Sequence, residues 1–203
     1  LTYDIQLWKK DELQSPGAGL PSAEAFFLNV AFKAGCFTMS DKRASSLFKK
    51  ETDVMLKLAG EDESYDVFHP LLIPRVIGIE DSSRNWSVMM VLEHLNMVNR
   101  DILKIVEALM SGIKPRGEID TALYKPEGDL DYDVLDRFQR NNAEYLDRVG
   151  ELLREHGNLA SSKRYRHPWF GGINAHQWHC LAAIHQRIHR RQIQKIVAML
   201  GVV

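Results

Sequence analysis

The stretch Asn174 to Leu200, NAHQWHCLAAIHQRIHRRQIQKIVAML, decides the fold. Each residue of an α-helix turns about 100° from the last, so Trp178, Leu181, Ala182, His185, Ile188, His189, Gln192 and Ile196 fall on one stripe. Asn174 with Gln177 three positions on is a capping-box arrangement that opens the helix, and Gly201 follows its end. A stripe of this length must be buried against other elements, and two imidazoles sit at its centre.

Working outward, the same three-and-four spacing recurs from Trp86 in Val88, Val91, Leu92, Leu95, Val98, Ile102, Val106 and Leu109, ended by Gly112 and Pro115. A third such segment holds Val134, Leu135, Phe138, Tyr145, Leu146, Val149 and Leu152 and stops at Gly157. Residues 22–59 read as helical in two pieces broken near 35–40. Residues 60–86 and 114–131 are rich in Pro, Gly and Asp and read as connections, and residues 158–173, with Pro168 and Gly171-Gly172, read as irregular loop. No strand pattern of comparable strength appears. The fold class is therefore all-α, a four-helix bundle with an additional N-terminal segment: residues 1–21 form an extension or arm, set off by Ser15, Pro16, Gly17, Gly19 and Pro21, and residues 22–203 form a single helical domain.

Composition narrows the function. Lysine plus arginine is 26 against 27 for aspartate plus glutamate, a formal net charge of -1, so no global field gathers polyanions and nucleic acid is not an expected partner. No run reaches the roughly 18 to 20 apolar residues of a membrane span, so no membrane is expected either. Ala25 to Cys36 is mostly apolar and ends in Ala34-Gly35-Cys36, but Asn29 and Lys33 within it favour a packing helix over an export signal. Numbering starts at Leu1, so any upstream signal lies beyond this reading. Cys36 and Cys180 form no Cys-x-x-Cys pair and suggest neither a disulfide framework nor a thiolate metal knuckle; a reducing, cytoplasmic setting is the expectation.

His185 and His189, four residues apart, stand one turn from each other on the same apolar face, where two imidazoles can chelate one ion. His94, at the edge of the Val91, Leu95, Val98 stripe, is the best third ligand. Three imidazoles leave positions open for water or substrate, as in a catalytic site, and nitrogen donors suit zinc, nickel or ferrous iron. Core histidines hydrogen-bonded to carboxylates satisfy the same spacing, so periodicity alone leaves both readings open. Gln192, close to one turn past His189, is placed to orient a water or a ligand ring, with core hydrogen bonding as an equal reading. Glu93 points about 100° away from its neighbour His94 and is no base. Trp178 and Tyr145 read as core; Arg187, Arg190, Arg191 and Lys195 as a solvated face; His69 and His156 as surface or capping residues; His176 as an end-of-helix contact; and His179 as lying off the central stripe.

Asn85-Trp86-Ser87-Val88 leading to Leu92-Glu93-His94-Leu95, together with His167-Pro168-Trp169-Phe170-Gly171 followed by His185-Gln186-Arg187-Ile188-His189, resembles the signature of the DinB-like superfamily over roughly residues 40–200. The resemblance implies a bundle holding a divalent metal ion on His94, His185 and His189. It further implies metal-dependent chemistry on a small-molecule substrate, either hydrolysis or transfer involving a low-molecular-weight thiol cosubstrate, and a homodimer. Many relatives carry an acidic residue one turn after the second-helix histidine, where Val98 and Asn99 stand here, with Asp101 further on. The alternative is a helical bundle that binds a metal or small ligand without catalysis; a third is a purely structural helical protein.

Overall fold

In a computed structural model, which describes residues 13–60, 66–127 and 130–201, the chain is mostly helical. The predicted helix over 22–59 is two: α1, Ser22–Thr38, and α2, Asp41–Gly60. Met39 between them is extended, and Ser40 Oγ accepts from Arg43 N to open α2. Then come α3, Val88–Met110, α4, Asp133–His156, and α5, Ala175–Leu200. Ser87 caps α3 by accepting from Met90 N. The Asn174 and Gln177 capping box at α5 is present with both of its hydrogen bonds, and Gly157 ends α4 at φ +78.

Two corrections concern the connections. Residues 71–86 carry a short antiparallel ladder, β1 Leu71–Leu72 against β2 Asn85–Trp86. Residues 158–173, read as irregular, contain a hairpin of β3, Tyr165–His167, and β4, Gly171–Ile173, in register Tyr165 to Ile173 and His167 to Gly171. Strands of two or three residues are too short to show an alternating pattern. The hairpin aims side chains nonetheless: Tyr165 is buried, and His167, two residues on, shares its face.

α5 lies against α2 and α3, and α3 and α2 also pack on α4. Two apolar clusters fill the interior, one around Phe48, Ile102, Tyr145 and Trp178, the other around Met55, Leu92, Phe138 and Ile193. Between them each of these four helices contributes one polar side chain. Asn99 Nδ2 donates to Asn142 Oδ1 at 2.9 Å, and Asn142 Nδ2 and Gln186 Nε2 donate to Thr52 Oγ1 at 3.3 and 3.2 Å. A misregistered helix would strand these buried amides, which ties the four helices to one axial alignment.

α1 stands apart. It buries Phe32 and Cys36, while Phe26, Phe27, Val30 and Phe37 are exposed, so the expected packing helix packs along one edge only. Of the predicted arm, residues 1–12 lie outside the described residues. Farther along, Gln14 N and Gly17 N donate to the carboxylates of Asp81 and Glu80. Among the described residues no helix is long and apolar enough to cross a membrane.

Candidate metal centre

His94 enters from α3, about two turns past the Ser87 cap, and His185 and His189 enter from α5. Their Nε2 atoms converge. His185 Nε2 is 3.0 Å from His189 Nε2 and 3.4 Å from His94 Nε2, and the His94 and His189 ring centroids are 4.7 Å apart. Among the described residues this is the one group of three or more His, Cys, Asp or Glu ligand atoms close enough to share an ion.

The protons on these rings follow from what lies behind them. His94 Nδ1 is 2.6 Å from the Tyr124 carbonyl oxygen, which can only accept, so Nδ1 carries the hydrogen. Gln192 Nε2 donates to the Ser83 carbonyl at 2.7 Å, which turns Gln192 Oε1 toward His189 Nδ1 at 2.8 Å, so there too Nδ1 carries the hydrogen. Burial holds all three rings below the ordinary imidazole pKa, His94 at about 4, so they are neutral near pH 7. In a neutral ring with a protonated Nδ1, Nε2 is a lone pair. Two lone pairs therefore face His185 Nε2, while His185 Nδ1 is buried without any hydrogen-bond partner. Neither tautomer of His185 satisfies both of its nitrogens.

This donor set fits a divalent ion. Two nitrogens each about 2.1 Å from one ion stand about 3.0 Å apart at a right angle and about 3.4 Å apart at the tetrahedral angle, the separations seen at His185. Metal-binding imidazoles also characteristically donate their other N–H to a protein oxygen, as His94 and His189 do.

The three rings border a cavity of about 280 Å³ whose walls are mainly apolar. Trp86 packs against two of the rings, its ring 5.1 Å from that of His94 and nearly parallel to His189 at 6.4 Å. The carboxylates on the wall are committed elsewhere: Glu80 accepts from Lys125 Nζ at 2.6 Å and from Thr121 Oγ1 at 2.9 Å, and Asp101 accepts from Tyr124 O–H at 3.0 Å.

The other predicted residues sort as follows. Glu93 pairs with Arg137 and Asn96, away from the centre. Trp178 and Tyr145 are core. Arg187 and Arg190, read as solvated, both bond the buried Glu51 of α2 and so tie α5 to α2; Arg191 and Lys195 are exposed. A buried acid on another helix is invisible to periodicity within α5. His179, off the stripe, is fully buried, and His176 pairs with Asp41 at the head of α2. Cys36 and Cys180 are free and buried.

Four contributing residues escape the sequence pattern. The Tyr124 carbonyl behind His94 carries no side-chain signal. Lys125 and Glu80 are distant in sequence and meet only in the fold. His167 lines the cavity and belongs to the motif at 167–171, within a segment whose Pro168 and Gly171-Gly172 read only as loop. No protein-family model matches the chain, and no curated protein matches its sequence.

Proposed function

We propose that His94, His185 and His189 hold one divalent ion, zinc, nickel or iron, inside a four-helix bundle of the DinB-like kind, and that the protein is a metal-dependent enzyme acting on a small molecule. The supporting observation is the convergence of three Nε2 atoms of which two are committed as lone-pair donors by the bonds behind them. An ion there supplies Lewis acidity, which lowers the pKa of a bound water or thiol and suits hydrolysis or transfer involving a low-molecular-weight thiol. The chain's own groups orient the ligands: the Tyr124 carbonyl and the Gln192 amide hold two rings, Trp86 packs against them, and the apolar wall of the cavity limits water. A cytoplasmic homodimer with no nucleic-acid partner completes the reading.

Metal analysis of protein purified without a histidine tag tests the site. The expected result is about one ion per chain in wild type and almost none in His185→Ala. Equal content in both proteins would eliminate it. A turnover screen with thiol acceptors and with ester and amide substrates, comparing wild type with His189→Ala, tests the chemistry. One observation favours a second reading, metal or ligand binding without catalysis: both carboxylates among the described lining residues are engaged by Lys125, Thr121 and Tyr124, which leaves no free carboxylate base among them.

A further inference from the structure

The wall of the cavity contributed by the β3–β4 hairpin carries a polar group that the metal reading does not use. His167 Nδ1 lies 3.1 Å from the backbone N of Trp169, which can only donate, so Nδ1 is the lone pair. Burial pushes the ring down to about 3, so it is neutral and its hydrogen sits on Nε2. Among the described residues no acceptor meets that N–H. The ring is held by stacking on Phe170, with centroids 4.7 Å apart and planes at 28°. Trp178, 5.4 Å away centroid to centroid, lines the same cavity and is 1% exposed, and its Nε1 also has no partner. The His167 N–H, on a half-buried ring lining the cavity, is thus a fixed, uncharged donor with no protein acceptor among the described residues, beside the buried and unpartnered Trp178 Nε1–H.

We propose that the cavity recognises an apolar amide or ester, whose uncharged carbonyl oxygen accepts from His167 Nε2–H while its hydrocarbon part packs among Phe32, Val98, Ile102 and Ile184. The proposal deepens the enzymatic reading by naming its substrate class. A carbonyl oxygen is an uncharged acceptor, which matches an uncharged N–H donor in an apolar wall. Charged alternatives fit worse. Lys125, the one lysine or arginine among the described lining residues, is already paired with Glu80, so a carboxylate would lose its hydration without gaining a free cation on this wall. A peptide-like thiol with several charges would bury each of them against Phe32, Ile102 and Trp169.

Titration calorimetry with octanamide, octanoate and glutathione tests the class, on wild-type protein and on metal-free His189→Ala. Octanamide is expected to bind best to the metal-free protein. Its affinity is expected to fall about ten-fold or more in His167→Phe, which keeps the stack on Phe170, and to recover in part in His167→Gln, which restores an N–H. In ¹⁵N-histidine spectra the Nε2–H signal of His167 should shift when octanamide is added, a readout that needs neither turnover nor the phenylalanine variant. Equal affinity in wild type and His167→Phe, an unmoved His167 signal, or tighter binding of octanoate or glutathione by the metal-free protein would overturn the proposal. Octanamide binding that vanishes with the metal yet tolerates His167→Phe would overturn it while leaving the metal site standing. Amide binding that depends on His167 in a protein that takes up no metal would uphold it and remove the metal reading instead.

Discussion

Helix α5 carries two histidine pairs, His176 with His179 near its start and His185 with His189 at its middle, and they meet opposite fates. At the start every ring nitrogen is answered by the protein. His176 Nδ1–H donates to Asp41 Oδ1 at 2.6 Å and Nε2–H to the Cys36 carbonyl at 3.0 Å; both partners are acceptors, so the ring is an imidazolium, and the Asp41 carboxylate raises its pKa to about 9. His179 Nε2–H donates to the Asp41 carbonyl at 3.2 Å, while Nδ1 accepts from Tyr145 O–H at 3.0 Å. At the middle, the Nε2 atoms of His185 and His189 face each other and His94, with no donor or acceptor among the described residues beyond the three rings. Burial does not separate the two pairs, since His179 is the most enclosed of the four. Helical spacing does so poorly. The difference lies in what the second nitrogen of each ring meets.

The largest test of this contrast exchanges the pairs. His189→Ala should drop bound metal from about one ion per chain to almost none, whereas His179→Ala should keep the metal and lose about 1–3 kcal/mol of stability through the stranded Tyr145 hydroxyl, as read by chemical denaturation. Metal lost from the His179 variant in its folded state would abolish the distinction. Next in size, Gln192→Ala frees His189 Nδ1 from its acceptor and should weaken metal affinity by about 10- to 100-fold in competition with a chelator. An unchanged affinity would mean that the amide serves only the Ser83 carbonyl.

Asp41→Asn should leave metal content alone and cost about 1–2 kcal/mol, because the pair with His176 is only partly buried. The effect has a pH signature. The folded pKa of His176, about 9, lies above its ordinary 6.5, so the stabilisation is complete below pH 6.5 and is lost as pH rises toward 9. The gap in unfolding free energy between wild type and the variant should close over that interval. For the metal-free triad the sign reverses: His94 is held at about 4, so the unfolded chain takes up protons first, and stability is complete above pH 6.5 and falls as pH drops toward 4. Opposite slopes on the two sides of pH 6.5, the smallest of these effects, would show both histidine sets acting in one molecule.

The periodicity of residues 88–109 and 174–200 was sufficient to place three histidines on two buried faces, and the capping box at Asn174 appears where the pattern predicts it. Helix stripes are legible because 3.6-residue spacing is local. The polar layer was not legible: Thr52, Asn99, Asn142 and Gln186 each look like ordinary polar interruptions, and Asn99 stands out only for replacing an acid. Nor were the engagement of Arg187 and Arg190 by Glu51 and the hairpin that carries His167, for the same reason: each depends on partners distant in the chain.

Local order therefore specified the helices, their caps and the residues able to chelate. Only the packed chain could decide which nitrogens carry protons, because a tautomer is set by the nearest acceptor, and at His94 that acceptor is a backbone carbonyl thirty residues away. The apolar cavity and the paired state of its carboxylates arise in the same way, from side chains that become neighbours only once the helices have closed around them.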